Sequence, residues 1–389
     1  MVTPPPVYAR LLKLPPRSFF LFGMRGVGKS TWAKQVLPDA TRFDLLDEGL
    51  YQSYLRDPGL FGRELARVQA GHWVVLDDVQ RLPNLLNDVH RFMEERRLRF
   101  ALLGSSARKL KHAGVNLLAG RALSRVMLPL LPGELGADFD LDRVLAAGSV
   151  AVIVQSEAPD ESLRAYVQMY LKNEIQAEAL VRNLPGFARF LPIAALFHGQ
   201  VLNTAGLARD AGVARTTVAG YLDILADTQL AWLLPGLEAR LRVKERQHPK
   251  LYWVDPGVAR AARGDFHPPS AVERGPLLEG WIATLLRAYG DPTTGLGHRY
   301  DSLAYWAPSS NSVEVDFIVQ RGRRLIAIEV KAKPTLSSRD FAGLKAIGEL
   351  DRVGRRILVF LGKRPFRTEE GIDALPVAHF VEELEAGKI

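Results

Sequence analysis

The segment Gly23-Met24-Arg25-Gly26-Val27-Gly28-Lys29-Ser30 follows the apolar run Ser18-Phe19-Phe20-Leu21-Phe22 and satisfies the full G-x-x-x-x-G-K-S pattern. It constrains the chain to a strand, a phosphate-sized loop and a helix in that order, with the helix carried on through Thr31-Trp32-Ala33-Lys34-Gln35-Val36. Glycine is needed where the main chain must approach a ligand without a Cβ in the way. In such a loop the main-chain N–H groups from Gly23, Gly26, Val27 and Gly28 through Lys29, Ser30 and Thr31 wrap the phosphates of ATP. Lys29 neutralises the β and γ charges, and the Ser30 hydroxyl ligates Mg²⁺.

Further apolar runs recur at Thr41–Leu46, His72–Asp77, Leu98–Gly104 and Arg125–Leu130, most of them separated by amphipathic segments. Each reads as a short buried strand, and the alternation predicts a parallel sheet covered by helices. The ligand then belongs at the carboxyl ends of the strands. Val74-Val75-Leu76-Asp77-Asp78 ends in acid, as a magnesium nucleotide requires: Asp77 is placed to hold the ion through water. Asp78 is placed to orient or deprotonate an attacking water, or to complement a helix dipole. Ser105 and Ser106 end the next strand, either as hydroxyls near the γ-phosphate or as ordinary helix caps.

At 389 residues the chain exceeds one ordinary core, so two to four domains are expected. A composition of 47% hydrophobic and 24% charged residues is that of a globular protein. No apolar stretch approaches the roughly 18 residues that cross a bilayer, and no signal-peptide core is present, which predicts a cytoplasmic protein with no membrane partner. Zero cysteines exclude disulfides, thiolate metal sites and cysteine nucleophiles. A formal net charge of +8 favours a polyanionic partner.

The phosphate loop, Leu76-Asp77-Asp78-Val79-Gln80, Gly104-Ser105-Ser106-Ala107, Leu118-Ala119-Gly120-Arg121 and Leu128-Pro129-Leu130 with Glu134 together resemble the bacterial and archaeal AAA-type ATPases that carry a DUF4143 C-terminal region. That family has Asp-Glu where this chain has Asp77-Asp78, a shorter reach for a catalytic base. The resemblance implies that Arg121 reaches a neighbouring subunit's γ-phosphate as an arginine finger, with Arg108 and Arg125 as lesser candidates; a surface arginine paired with an internal acid is the alternative. A finger acting in trans implies a homo-oligomer, most naturally a ring.

The expected core spans residues 1–135 and a helical lid spans 136–198, where Leu163–Leu171 carry helical periodicity and Pro185, Gly186 and Pro192 mark breaks. Within 199–262, Thr204–Leu222 has the spacing of two short helices around a Gly-Val turn, a helix-turn-helix. Arg215, Thr216 and Thr217 open the second helix and can meet a phosphate or a base edge. Leu241–Asp255 predicts a basic hairpin, hence a winged form, directed either at DNA or at protein packing.

In the C-terminal region, 263–389, Leu277–Leu286 predicts a helix carrying Glu279, and two strands follow, one with Asp316 and one with Glu329 and Lys331 on a shared face. The order Glu, Asp, Glu-x-Lys resembles the PD-(D/E)xK nucleases, with Val315 where their proline stands. The resemblance implies that Asp316, Glu329 and Glu279 hold Mg²⁺ or Mn²⁺ while Lys331 assists the attacking hydroxide; an inactive nuclease fold is the alternative. Arg321, Arg323, Arg324, Arg352, Arg355 and Arg356 offer a phosphate path or solvated turns. The fold class expected is α/β: a P-loop AAA-type sheet with helical lid, a winged helix-turn-helix and a nuclease-like α/β domain. The function expected is a DNA-acting ATPase with a metal-dependent endonuclease, or alternatively an ATP-switched DNA- or protein-binding module.

Overall fold

The structure is a computed structural model. It describes residues 7–108, 110, 118, 120–171, 184–237, 248–297, 299–308, 313–350 and 352–389. The first sheet contains β1 (Phe19–Phe22), β2 (Thr41–Asp44), β3 (Trp73–Asp77), β4 (Arg99–Gly104) and β5 (Leu123–Val126) in the order β2-β3-β4-β1-β5. Every pairing in it is parallel. β1 lies inside the sheet, between β4 and β5, and both its faces are covered: Phe19 and Leu21 enter one apolar cluster while Phe20 and Phe22 enter another. The same alternation divides Trp73 and Val75 from Val74 and Leu76. The expected strand Arg125–Leu130 is shorter and earlier, ending at Val126; Leu128-Pro129-Leu130 leaves the sheet at a residue with no N–H to give.

The helix Lys29–Val36 starts at Gly28, whose φ of 96° lies in the left-handed region. Trp32 anchors it, donating from Nε1 to the Leu12 carbonyl at 3.1 Å and meeting Phe19 edge-on. Among the described residues from Pro132 to Leu196 helices dominate, and the Leu163–Leu171 stretch divides into an α-helix, Pro159–Ala165, and a π-helical turn, Tyr166–Leu171.

The expected helix pair forms Thr204–Ala211 and Arg215–Asp227. Asn203 caps the first by accepting from the Gly206 N–H at 3.0 Å, and Gly212 closes it with a φ of 62°. A three-stranded antiparallel sheet follows, with β8 (Lys250–Trp253) between β6 (Gln200–Val201) and β7 (Ala231–Leu234). Residues 238–247, which include the first seven residues of the expected basic hairpin Leu241–Asp255, lie outside the described residues.

The helix Ala271–Gly290 opens with a capping box between Ser270 and Glu273. From Leu277 onward it is almost entirely buried, because it lies between β8 and the last sheet. That sheet comprises β9 (Ser302–Trp306), β10 (Val315–Arg321), β11 (Arg324–Lys331), β12 (Val353–Phe360), β13 (Phe366–Arg367) and β14 (Asp373–Pro376), ordered β13-β14-β12-β11-β10-β9. β10 and β11 form the expected hairpin, turning at Gly322 with a φ of 56°. Main-chain bonds from Tyr305 to Pro235 and from Leu237 to Tyr305 stitch the end of β7 to β9.

Candidate nucleotide site and an acidic cage

A cavity of about 300 Å³ lies at the carboxyl edge of the first sheet, bounded by Gly26 to Trp32, Asp77, Asp78 and Ser105, and on the far side by Tyr8 and Arg10. Gly23 and Gly26 are required sterically: a Cβ on Gly23 would strike the Met127 carbonyl, and one on Gly26 would strike Val152. Lys29 Nζ donates to the loop carbonyls of Gly23 at 2.7 Å and Met24 at 3.2 Å. Arg10 fastens the chain entering the site, donating to Val27 O and Leu128 O and pairing with buried Glu134 at 3.1 Å.

Asp77 ends β3 beside Asp44 of β2, to which it is paired in register. Burial pushes its carboxyl above the ordinary value, against the hydrogen bond from Ser30 and the charge of Lys29. Ser30 and Asp77 thus present two hard oxygens side by side, a donor set that suits Mg²⁺.

Asp78 sits at a φ of 53°, a left-handed conformation that aspartate tolerates. It does not cap the short helix Val79–Arg81 with its side chain; Gln80 instead donates from Nε2 to Asp78 Oδ1 at 2.8 Å and to Ser105 Oγ at 3.0 Å. Gln80 is a link between Asp78 and Ser105 that the local sequence does not single out. Its signal was the absence of a side chain at Gly104, where a Cβ would strike Gln80 Oε1.

Arg121 pairs with Glu94 at 2.5 Å on a half-exposed surface, the internal-acid alternative. Arg108 bridges to Asp227, and Arg125 donates to Ser124 O. On the helix pair, Arg215 and Thr216 are exposed and Thr217 is half-buried, so the start of the second helix faces outward. Much of the expected C-terminal arginine row is committed within the chain: Arg321 to Arg299 O and Gly387 O, Arg352 to Arg323 O, Arg355 to Asp373 and Glu383, and Arg356 to Leu344 O and Glu370 O. Arg323 and Arg324 are exposed.

The expected metal set meets a fifth group that the sequence did not place with it. Glu279, Asp316, Glu329 and Lys331 do converge: Asp316 Oδ2 accepts from Val330 N at 2.8 Å, and Lys331 Nζ donates to Glu329 Oε1 at 2.5 Å. Yet Lys250, assigned by sequence to an exposed hairpin, is 2% exposed. Its Nζ lies 2.9 Å from Glu279 Oε1 and 3.7 Å from Asp316 Oδ1, and it also pairs with Glu314. Tyr252 donates to the same Glu279 oxygen at 2.5 Å. Among the described residues, no cluster of three or more His, Cys, Asp or Glu is arranged to hold a metal ion.

Burial alone would lower the Lys250 ammonium, but Glu279, Asp316 and Glu314 outweigh it and hold its pKa above the ordinary value. Burial and Asp316 push Glu279 up to about 7.

An AAA domain model matches residues 16–136, a domain of unknown function (DUF8612) matches 138–268, and a second (DUF4143) matches 274–380. The AAA and DUF4143 matches support an AAA-type ATPase family. An AAA domain on this cavity suggests ATPase activity. Two mycobacterial relatives, uncharacterized proteins of Mycobacterium tuberculosis and Mycobacterium bovis, are each 27% identical over 370 residues, covering 92% of this chain and 79% of theirs. Among solved structures, the chain is similar to the replication initiator DnaA bound to AMPPCP and single-stranded DNA, at 16% identity and a TM-score of 0.28 over 55% of this chain and 83% of that one. It is also similar to a signal transduction ATPase with numerous domains from Pyrococcus horikoshii, at 13% identity and a TM-score of 0.25 over 71% of this chain and 44% of that one. Likenesses this slight carry no function across. Among the described residues no helix is long and apolar enough to cross a membrane.

Proposed function

We propose that the chain is a Mg²⁺-dependent ATPase whose nucleotide state sets the affinity of its helix-turn-helix and C-terminal segments for DNA, within a homo-oligomer. The observation that carries the reading is the convergence, on one cavity, of the Gly26–Thr31 loop, the Ser30–Asp77 oxygen pair and the Asp78–Gln80–Ser105 chain. The loop N–H groups and Lys29 would hold the phosphates of ATP, and Ser30 and Asp77 would hold a Mg²⁺ that offsets their charge. Asp78, oriented by Gln80, is within the same cavity to take a proton from water, and Ser105 would sense the γ-phosphate.

The boundaries proposed are a core at 1–135, a lid at 136–198, a winged helix-turn-helix at 199–262 and a C-terminal α/β module at 263–389. The outward-facing Arg215 and Thr216, with the net charge of +8, support a phosphate-backbone contact. Arg121 remains proposed as a trans-acting group that would exchange Glu94 for a neighbour's phosphate on assembly. No cutting reaction is proposed, because an ammonium lies among the acids that a metal would need.

The test pairs ATP hydrolysis with DNA anisotropy in ATP and in ADP, at two salt concentrations. Lys29→Ala should abolish hydrolysis and the nucleotide dependence of DNA affinity, while DNA binding itself should weaken with salt as counterion release demands. Calorimetry showing no adenine-nucleotide binding to the folded protein would overturn the reading.

A further inference from the structure

The four acids of the C-terminal cage, Glu279, Glu314, Asp316 and Glu329, come from the helix Ala271–Gly290 and from the chain leading through β10 and β11. Lys250 comes from none of these. It starts β8, the middle strand of the small sheet, where its backbone is paired on both sides, with Val201 and with Leu234. The pairing fixes where its side chain starts, and its ammonium crosses from one sheet to the acids of another.

We infer that Lys250 is the resident cation of this cage, a built-in ammonium at the position a divalent ion would take, so that the acids clamp β8 to the C-terminal sheet and the site is a latent, not a working, cation site. Three observations carry this. An ammonium has three donors, and three carboxylates, Glu279, Glu314 and Asp316, surround it within ion-pair distance. The Tyr305 ring face lies 5.5 Å from Nζ and Tyr252 occupies the shared Glu279 oxygen, so the remaining approaches are aromatic or already bonded. A divalent ion needs its oxygens near 2.1 Å for magnesium, and the volume between these oxygens is filled by Nζ. Glu329 Oε2 is buried with no hydrogen-bond partner among the described residues, an acceptor the lysine does not reach and a vacated cage would offer to a metal.

The inference is independent of the nucleotide reading, since it concerns only cation binding far along the chain from the phosphate loop. The experiment titrates Mn²⁺ into the full-length protein without nucleotide and reads free Mn²⁺ by electron paramagnetic resonance, in an Asp77→Asn background so that the loop acid makes no contribution. With Lys250 intact, adding Asp316→Asn should leave Mn²⁺ binding unchanged. Lys250→Met should gain one Mn²⁺ equivalent bound at least tenfold more tightly than anything in the parent, and Asp316→Asn should remove it. A Mn²⁺ site in the Lys250 protein that Asp316→Asn abolishes overturns the inference, as does a folded Lys250→Met protein with no gained site. Should Lys250→Met fail to fold, the Lys250 protein alone decides: its Mn²⁺ binding either ignores Asp316→Asn, as inferred, or depends on it.

Discussion

Arg108 Nη1 donates to Asp227 Oδ2 at 3.0 Å, joining the loop after Ser105 and Ser106 to the last residue of the helix Arg215–Asp227. Both side chains are largely shielded, at 17% and 24% exposure, so the pair is less screened than a surface one. It connects the Ser105 end of the cavity with the helix whose other end carries Arg215 and Thr216.

Arg108→Ala should therefore leave ATP hydrolysis within about threefold of the parent while reducing the ratio of DNA affinities in ATP and ADP toward one, a loss within the usual 1–3 kcal/mol of allosteric coupling. Anisotropy in each nucleotide checks this. An unchanged ratio would show that the pair is structural only.

Gln80 holds Asp78 and Ser105 together, so Gln80→Ala should lower kcat by roughly 10- to 100-fold with little change in KM, the pattern of misplaced reacting groups. Gly104→Ala should reproduce part of that loss, because its methyl displaces the Gln80 amide. Steady-state kinetics on both variants provide the comparison; a pure KM effect would remove Gln80 from the positioning role.

Asp77 and Asp78 should separate by metal titration. Asp77→Asn is expected to raise the Mg²⁺ concentration needed for half-maximal hydrolysis, whereas Asp78→Asn should lower kcat by about 10²–10⁴-fold at unchanged Mg²⁺ demand. Identical profiles for the two variants would refute the assignment.

His198 gives a pH signature. It is buried, accepts the Trp253 N–H at Nδ1 at 3.0 Å, and burial, aided by Arg263, lowers its pKa to about 3. The folded value lies below the unfolded one, so the stability it contributes is complete above about pH 6.5 and lost as pH falls toward 3. Urea unfolding of the parent and of His198→Gln should show the gap between them narrowing by roughly 2 kcal/mol from about pH 7 to about pH 5. Glu279 at about 7 and Asp255 at about 6 slope the opposite way in both proteins, losing stability as pH rises through those values.

The phosphate loop, the strand ending in Asp77-Asp78 and the helix pair around Gly212 were legible because each is local: a few consecutive residues fix φ, charge and period together. The hairpin placing Asp316 beside Glu329 and Lys331 was legible for the same reason, through period-2 alternation and a Gly322 turn. Arg121 was open between two readings because a single exposed arginine has no local signal that chooses its partner, and Glu94 lies 27 positions away.

Sequence by itself determined the strand, loop and helix at Phe19–Val36 and the order of the elements around them, since backbone conformation and side-chain alternation are set over a turn or a strand. Only the tertiary structure decided what the C-terminal acids face. Lys250 belongs to a basic, apparently open stretch when read along the chain, and whether such an ammonium meets water, DNA or three carboxylates depends on the pairing of β8 with strands 16 and 49 residues before it, which no local pattern encodes.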